Sequence, residues 1–196
     1  MNPPFPLADL NLRTPRLRRL RKGTVLHRFF DRAHTPVYFD RSLNGRLNSP
    51  DGHYGVLYTA LSLRGAFAET FLREPGLRQI DPKLLARRAY VTLEVLREAR
   101  LIEFAGPGLA VLGATAEVTH CGLPYSVPQA WSAALHGHRV AAGGIAYHSR
   151  HDDQEVCAAW FDRGAGLLRE LNREVDLDVD WFWRLAEIYD RGSPPT

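Results

Sequence analysis

Five residues have the chemistry to hold and cut an anionic sugar ligand. They are Arg28 in LHRFF, Arg46 in NGRLNSP, Tyr58 in GVLYTAL, Glu69 in AFAET and Ser149 in YHSRHDD. Two guanidiniums grip a pyrophosphate through charge-assisted bidentate bonds. A tyrosine ring stacks on a flat heterocycle. A carboxylate bonds ribose hydroxyls or stabilises positive charge growing at an anomeric carbon. A serine hydroxyl completes the polar contacts. Each residue alone has an ordinary reading: a loop arginine is solvated, a helical glutamate is exposed, a tyrosine after an apolar run belongs to the core, and a serine after a strand is a cap. Their combination is what calls for an explanation, above all the closeness of Arg46, Tyr58 and Glu69.

The elements that must position them follow from patterning. Residues 24–30 (TVLHRFF) alternate as a strand does and carry Arg28. Residues 40–53 are dense in Asn, Gly, Ser and Pro, which makes a loop around Arg46. Residues 55–61 (GVLYTAL) read as a short buried strand with Tyr58. Ser62 is then a helix N-cap, and 63–73 form a helix with Leu63, Ala66, Phe67 and Phe71 on its apolar stripe. Glu69 lies beside that stripe, and Gly65, one turn earlier, is expected to leave space next to the carboxylate. Residues 89–95 and 101–104 read as a strand pair, 106–113 as a loop, 128–137 as a helix with proline in its first turn, and 140–147 as a small-residue strand that delivers Ser149 to the loop beyond it. A strand at 156–161 and a terminal helix at 180–190, with Asp180 as a possible cap, complete the reading. Strands and helices intermix without a βαβ period. The fold class expected is α+β, one domain around a twisted, mainly antiparallel sheet.

At 196 residues, with 45% hydrophobic and 24% charged residues, the chain suits a single soluble domain. Its division is a basic N-terminal arm over 1–23, laid on the domain or free as a tail, and a domain over 24–196 that carries all five residues. No apolar run nears the roughly 20 residues of a membrane span, and no secretory leader stands at the start, so a cytoplasmic location is expected. The net charge is +3, but only Lys22 and Lys83 are lysines among 25 basic residues. That bias suits phosphate recognition, and GC-rich coding produces it equally well. Cys121 and Cys157 form no ligand pattern and read as reduced, buried, small apolar residues. His148, His151, Asp152 and Asp153 lack the spacing of a metal site, so no metal is expected. Ser149, His151 and Asp152 lie too close in sequence to work as a nucleophile relay. No phosphate-loop or dinucleotide fingerprint is present.

The order and wording of LHRFF, GRLNSPDGHYGVLYTALSLRGAFAET and GGIAYHSRHDDQEVCAAWFD resemble the RES domain family over roughly residues 24–165. The Arg, Glu and Ser that give the family its name would be Arg46, Glu69 and Ser149 as catalytic residues, with Arg28 and Tyr58 binding substrate. Leu47 stands where many members carry Phe. The resemblance implies a fold similar to ADP-ribosyltransferase toxins and a toxin that degrades NAD+ at its nicotinamide–ribose bond. NAD+ would be the substrate, inorganic phosphate or water the acceptor, and no cofactor would be needed. The pyrophosphate would lie on Arg28 and Arg46, Tyr58 would flank the nicotinamide, and Ser149 would orient ribose or nicotinamide. The partner implied is a separate antitoxin with a DNA-binding helix-turn-helix. Two alternatives stay open: a mono-ADP-ribosyltransferase acting on a host protein, and a non-catalytic nucleotide or nucleic-acid binding protein, which the basic arm would suit.

Overall fold

The computed structural model describes residues 3–193, so the first two and last three residues of the expected arm and domain lie outside it. Eight strands form one sheet: β1 (Leu17–Leu20), β2 (Val25–Asp31), β3 (Val56–Ala60), β4 (Arg88–Val95), β5 (Ala99–Glu103), β6 (Gly144–His148), β7 (Val156–Phe161) and β8 (Leu168–Glu174). Their order is β1-β5-β6-β7-β3-β2-β4-β8. Neighbours run antiparallel except β5 and β6, which are parallel. Among the described residues six α-helices accompany them: α1 (Leu63–Phe71), α2 (Pro82–Arg87), α3 (Pro107–Leu112), α4 (Glu117–His120), α5 (Ser126–His136) and α6 (Asp180–Glu187), with short 3-10 turns at Leu10–Leu12 and Asp162–Leu167. The expected α+β domain with a mainly antiparallel sheet is what the chain builds.

Period-2 alternation splits the apolar residues into two cores. On β4, Ala89, Val91, Leu93 and Val95 are buried on one face while their neighbours are half-exposed. That face belongs to a cluster to which every strand contributes, from Leu20 on β1 to Leu168 on β8. A sheet whose edge strands both reach one cluster must curl around it. The buried Trp160 indole within it donates to Thr59 Oγ1 at 3.0 Å, so the polar atom is satisfied. The opposite face is covered by helices. There Phe29 of β2 packs with Phe67 and Phe71 of α1 and with Phe182 of α6. Each fully buried Phe of this set contributes roughly 1.5–3 kcal/mol relative to exposure.

Several elements depart from the sequence reading. The basic segment is laid on the domain, one of the two arrangements expected, but its end is an unexpected edge strand, β1, whose residues in order pair with Ile102, Leu101, Arg100 and Ala99 of β5. Leu20 is buried there, and Arg16, Arg18 and Arg19 are neutralised by Glu103 and Glu98. The expected loop at 106–113 contains α3, because Pro107 at the first helical position pre-sets the helical φ. Asp180 lies inside α6, and the N-cap is Val179 without a side-chain cap bond. Cys157 is buried as expected, but Cys121 is partly exposed beyond the end of α4; both are free thiols.

One irregularity in the sheet matters for function. Strands β2 and β3 share a single registered pair, His27 with Ala60. On their other sides, β2 pairs along its whole length with β4, and β3 along its whole length with β7. The sheet therefore parts between β2 and β3, and the residues along the parting face a cavity.

Candidate active site

The cavity has a volume of about 610 Å³ and takes its walls from both sides of the parting, from the 40–46 loop and from α1. Arg28, Arg46, Tyr58 and Glu69 line it together, as the sequence suggested. Ser149 is fully buried and is not part of the wall.

Glu69 is placed by α1, and α1 is fixed at both ends. Ser62 caps the helix by accepting a bond from the Gly65 amide at 2.9 Å. Gly65 does not open space beside Glu69, as its position had suggested. Instead it lets the helix lie against β3, where an added Cβ would meet the Ala60 Cβ at 3.0 Å. Phe67 and Phe71 anchor the far side of the helix. Glu69 then projects into a ring of donors. The Ser149 hydroxyl donates to Glu69 Oε1 at 2.7 Å, the Tyr147 hydroxyl donates to Oε2 at 3.4 Å, and the Arg46 guanidinium sits 3.6 Å from Oε2. Ser149 Oγ in turn accepts from the His151 amide at 3.2 Å, which sets its donor direction. Ser149 thus acts on the carboxylate from behind, whereas the sequence reading had it touching the substrate.

Tyr58 has an anchoring role in the fold. Its hydroxyl accepts from the Leu47 amide and donates to Asn48 Oδ1, both at 2.9 Å. Burial raises its pKa. The loop can come this close only because residue 45 is glycine: a Cβ there would sit 2.8 Å from the Tyr58 hydroxyl. Gln129 of α5 adds bonds to the Leu43 and Gly45 carbonyls at 2.8 and 3.1 Å. Arg46, carried on this loop, donates to the Thr119 carbonyl as well as meeting Glu69. Leu47, the position at which the motif departs from the family wording, is buried in the core, where an apolar side chain suffices.

Arg28 lies across the parting and donates to the main-chain carbonyl of Tyr58 at 2.9 Å. Burial, followed by the positive charge of Arg88, holds its pKa down to about 10, against the pull of Asp40. Asp40 is itself occupied. It accepts from the Ser42 amide and hydroxyl, each at 2.8 Å, and from Asn48 at 3.0 Å. Burial opposes its ionisation, but those bonds outweigh it and keep the carboxyl below its usual range.

Sequence reasoning missed several residues of the wall: Tyr147, Arg150, His151, Arg73, Arg88 and Asp40. Tyr147 had a signal, because on a strand it shares a face with Ser149 two residues on. Burial, first among several causes, lowers the His151 pKa to about 4, which leaves the ring neutral near pH 7. Five arginines and three carboxylates, Asp31, Asp40 and Glu69, line the cavity, an excess of positive charge suited to an anion. Among the described residues no group of three or more His, Cys, Asp or Glu is arranged to hold a metal ion. No helix among them is long and apolar enough to cross a membrane.

No curated protein sequence matches the chain. A chain of the M. tuberculosis MbcT–MbcA toxin–antitoxin complex has a similar fold, with a TM-score of 0.68 at 16% sequence identity, covering 86% of this chain and 92% of that one. The family model of the RES domain matches residues 16–181, which include β1 and all five residues first singled out. With most of its length matched in this way, the chain belongs to the RES domain family.

Proposed function

We propose that this protein is the toxin of a toxin–antitoxin pair and degrades NAD+ by cleaving the nicotinamide–ribose bond. The observation that carries the reading is the Glu69 carboxylate, oriented by Ser149 and Tyr147 at the wall of an arginine-rich cavity. A dinucleotide lying along the parting would bring its phosphates towards Arg28 and its nicotinamide riboside to Glu69 and Arg46. The C–N bond breaks with its electron pair leaving on nicotinamide, which departs neutral. The ribose carbon gains oxocarbenium character, and the fixed carboxylate stabilises that charge without having to reorganise. An oxygen of inorganic phosphate or of water then bonds the carbon; water gives up its proton in doing so. The products are nicotinamide and either ADP-ribose 1-phosphate or ADP-ribose.

The family and the likeness to a toxin–antitoxin complex support a separate antitoxin, which by the family resemblance would carry a DNA-binding helix-turn-helix. The reading places the protein in the cytoplasm, where NAD+ is abundant. The test is incubation of the purified protein with NAD+ labelled in its phosphates, followed by gel and chromatography. Soluble labelled ADP-ribose species are expected. Label bound covalently to a protein band would favour mono-ADP-ribosylation of a target instead, and intact NAD+ would contradict both.

A further inference from the structure

Among the described residues, four buried side-chain polar atoms have no hydrogen-bond partner, and all are arginine Nε atoms: Arg18, Arg28, Arg46 and Arg88. Three of these arginines line the one cavity. Arg46 is otherwise engaged, with the Thr119 carbonyl and Glu69. Arg28 makes one bond, to the Tyr58 carbonyl, and has no carboxylate within ion-pair distance. Among the described residues Arg88 has no side-chain hydrogen bond or ion pair, although it is partly buried at the start of β4.

The acids near these two cations are already taken. Asp31, which faces Arg88 across the β2–β4 ladder, is paired with Arg87 at 2.7 Å and accepts from the Ala33 amide at 3.0 Å. Asp40 is held by Ser42 and Asn48. Burial, and after it the charge of Arg88, lowers the pKa of Arg28; burial, with Arg73 and Arg87 nearby, lowers that of Arg88 against the pull of Asp31. Asp40 and Asp31 attract these cations without pairing with them directly, and a fold tolerates a buried cation with no direct partner of opposite charge poorly. Two such cations on one wall call for one anion between them.

We propose that Arg28 and Arg88 form a clamp for the diphosphate of a nucleotide, with Arg88 a binding residue of this chain and Arg46 left to the ribose end beside Glu69. The identity of that nucleotide as NAD+ rests on the function proposed above; the clamp itself requires only a diphosphate. A forked guanidinium gives two parallel bonds to a phosphate group, and a second guanidinium on the neighbouring phosphate fixes the direction of the chain. This sets the polarity of the ligand in the parting, with phosphates at the β2–β4 side and the scissile bond at α1.

The test is calorimetric titration of the intact protein with ADP and with adenosine, for wild type, Arg88→Met and Arg88→Lys, with a thermal melt of each. Wild type should bind ADP with an affinity that falls as salt rises. Arg88→Met should lose roughly ten- to a hundredfold in ADP affinity, and Arg88→Lys should recover part of it. Without ligand, Arg88→Met should melt at or above the wild-type temperature, because it removes an unpaired cation; an arginine with a purely structural role would give the opposite. Equal ADP affinity in wild type and folded Arg88→Met, or no ADP binding by wild type, would overturn the clamp. Failure of the NAD+ reading has a separate signature: ADP binding that depends on Arg88 in a protein that leaves NAD+ intact.

Discussion

The two ends of the cavity are built in opposite ways. At the Glu69 end nearly every polar group is bonded, the buried Arg46 Nε excepted. Both carboxylate oxygens have partners, Ser149 is itself aimed by the His151 amide, and the Arg46 loop is pinned by Tyr58, Asn48 and Gln129. At the Arg28 end, guanidiniums carry buried Nε atoms with no partner, and the nearby acids are committed to other donors. A satisfied network is rigid and can hold one geometry through a reaction. An unsatisfied pair of cations stores unfavourable free energy that an anion releases on binding. Under the proposed function the contrast puts chemistry at the first end and affinity at the second, a division that the kinetic split between kcat and KM tests.

The largest effect is expected at Glu69. Glu69→Gln keeps the shape and removes the charge, so turnover should fall by at least about a hundredfold with a small change in KM. Arg28→Ala should do the reverse, raising KM roughly ten- to a hundredfold while kcat changes less. If both variants lower kcat alone, the cavity does not divide in this way. Ser149→Ala sharpens the comparison, because Ser149 does not line the cavity. It should lower kcat by about tenfold through loss of Glu69 orientation and leave KM unchanged; a raised KM would show that Ser149 contacts the substrate after all.

Two smaller effects concern stability. Tyr58→Phe leaves the Leu47 amide and Asn48 Oδ1 without their partner and should cost about 1–3 kcal/mol in denaturant unfolding. The last is a pH effect at His151, whose surroundings include Glu69, Arg150, Arg46 and Arg73. Its folded pKa, near 4, lies below the ordinary 6.5. Between those values the unfolded chain binds the proton and the folded protein does not, so stability falls as pH falls through that window. His151→Gln should flatten the melting temperature against pH between about 6.5 and 4; an unchanged slope would mean that the ring is not held neutral.

Much of this arrangement was legible in the sequence. The alternation in TVLHRFF and AYVTLEV marks β2 and β4, and the serine before LRGAFAET is the N-cap of α1. These signals are local, and local rules read them. The edge strands were not legible. β8 is LRELNRE with one buried residue, so it lacks an apolar face to reveal its period, and β1 is hidden within a run of arginines. At the site, residue types and order brought Arg28, Arg46, Tyr58 and Glu69 to one cavity, but not the division of labour among them. The burial of Ser149 behind Glu69, and the bonds by which the Tyr58 hydroxyl holds the loop, depend on contacts distant in sequence. Arg88 follows another arginine at a strand start. Its proposed role follows from the parting of β2 and β3, which is a property of long-range pairing.

The most direct measurement is release of free nicotinamide from NAD+ by the purified protein, with and without inorganic phosphate, beside Glu69→Gln. The account predicts steady release by wild type, conversion of the sugar to a phosphorylated ADP-ribose if phosphate is the acceptor, and release slowed at least about a hundredfold in the variant. Intact NAD+ after incubation with folded, partner-free wild type, or equal release by wild type and Glu69→Gln, would contradict it.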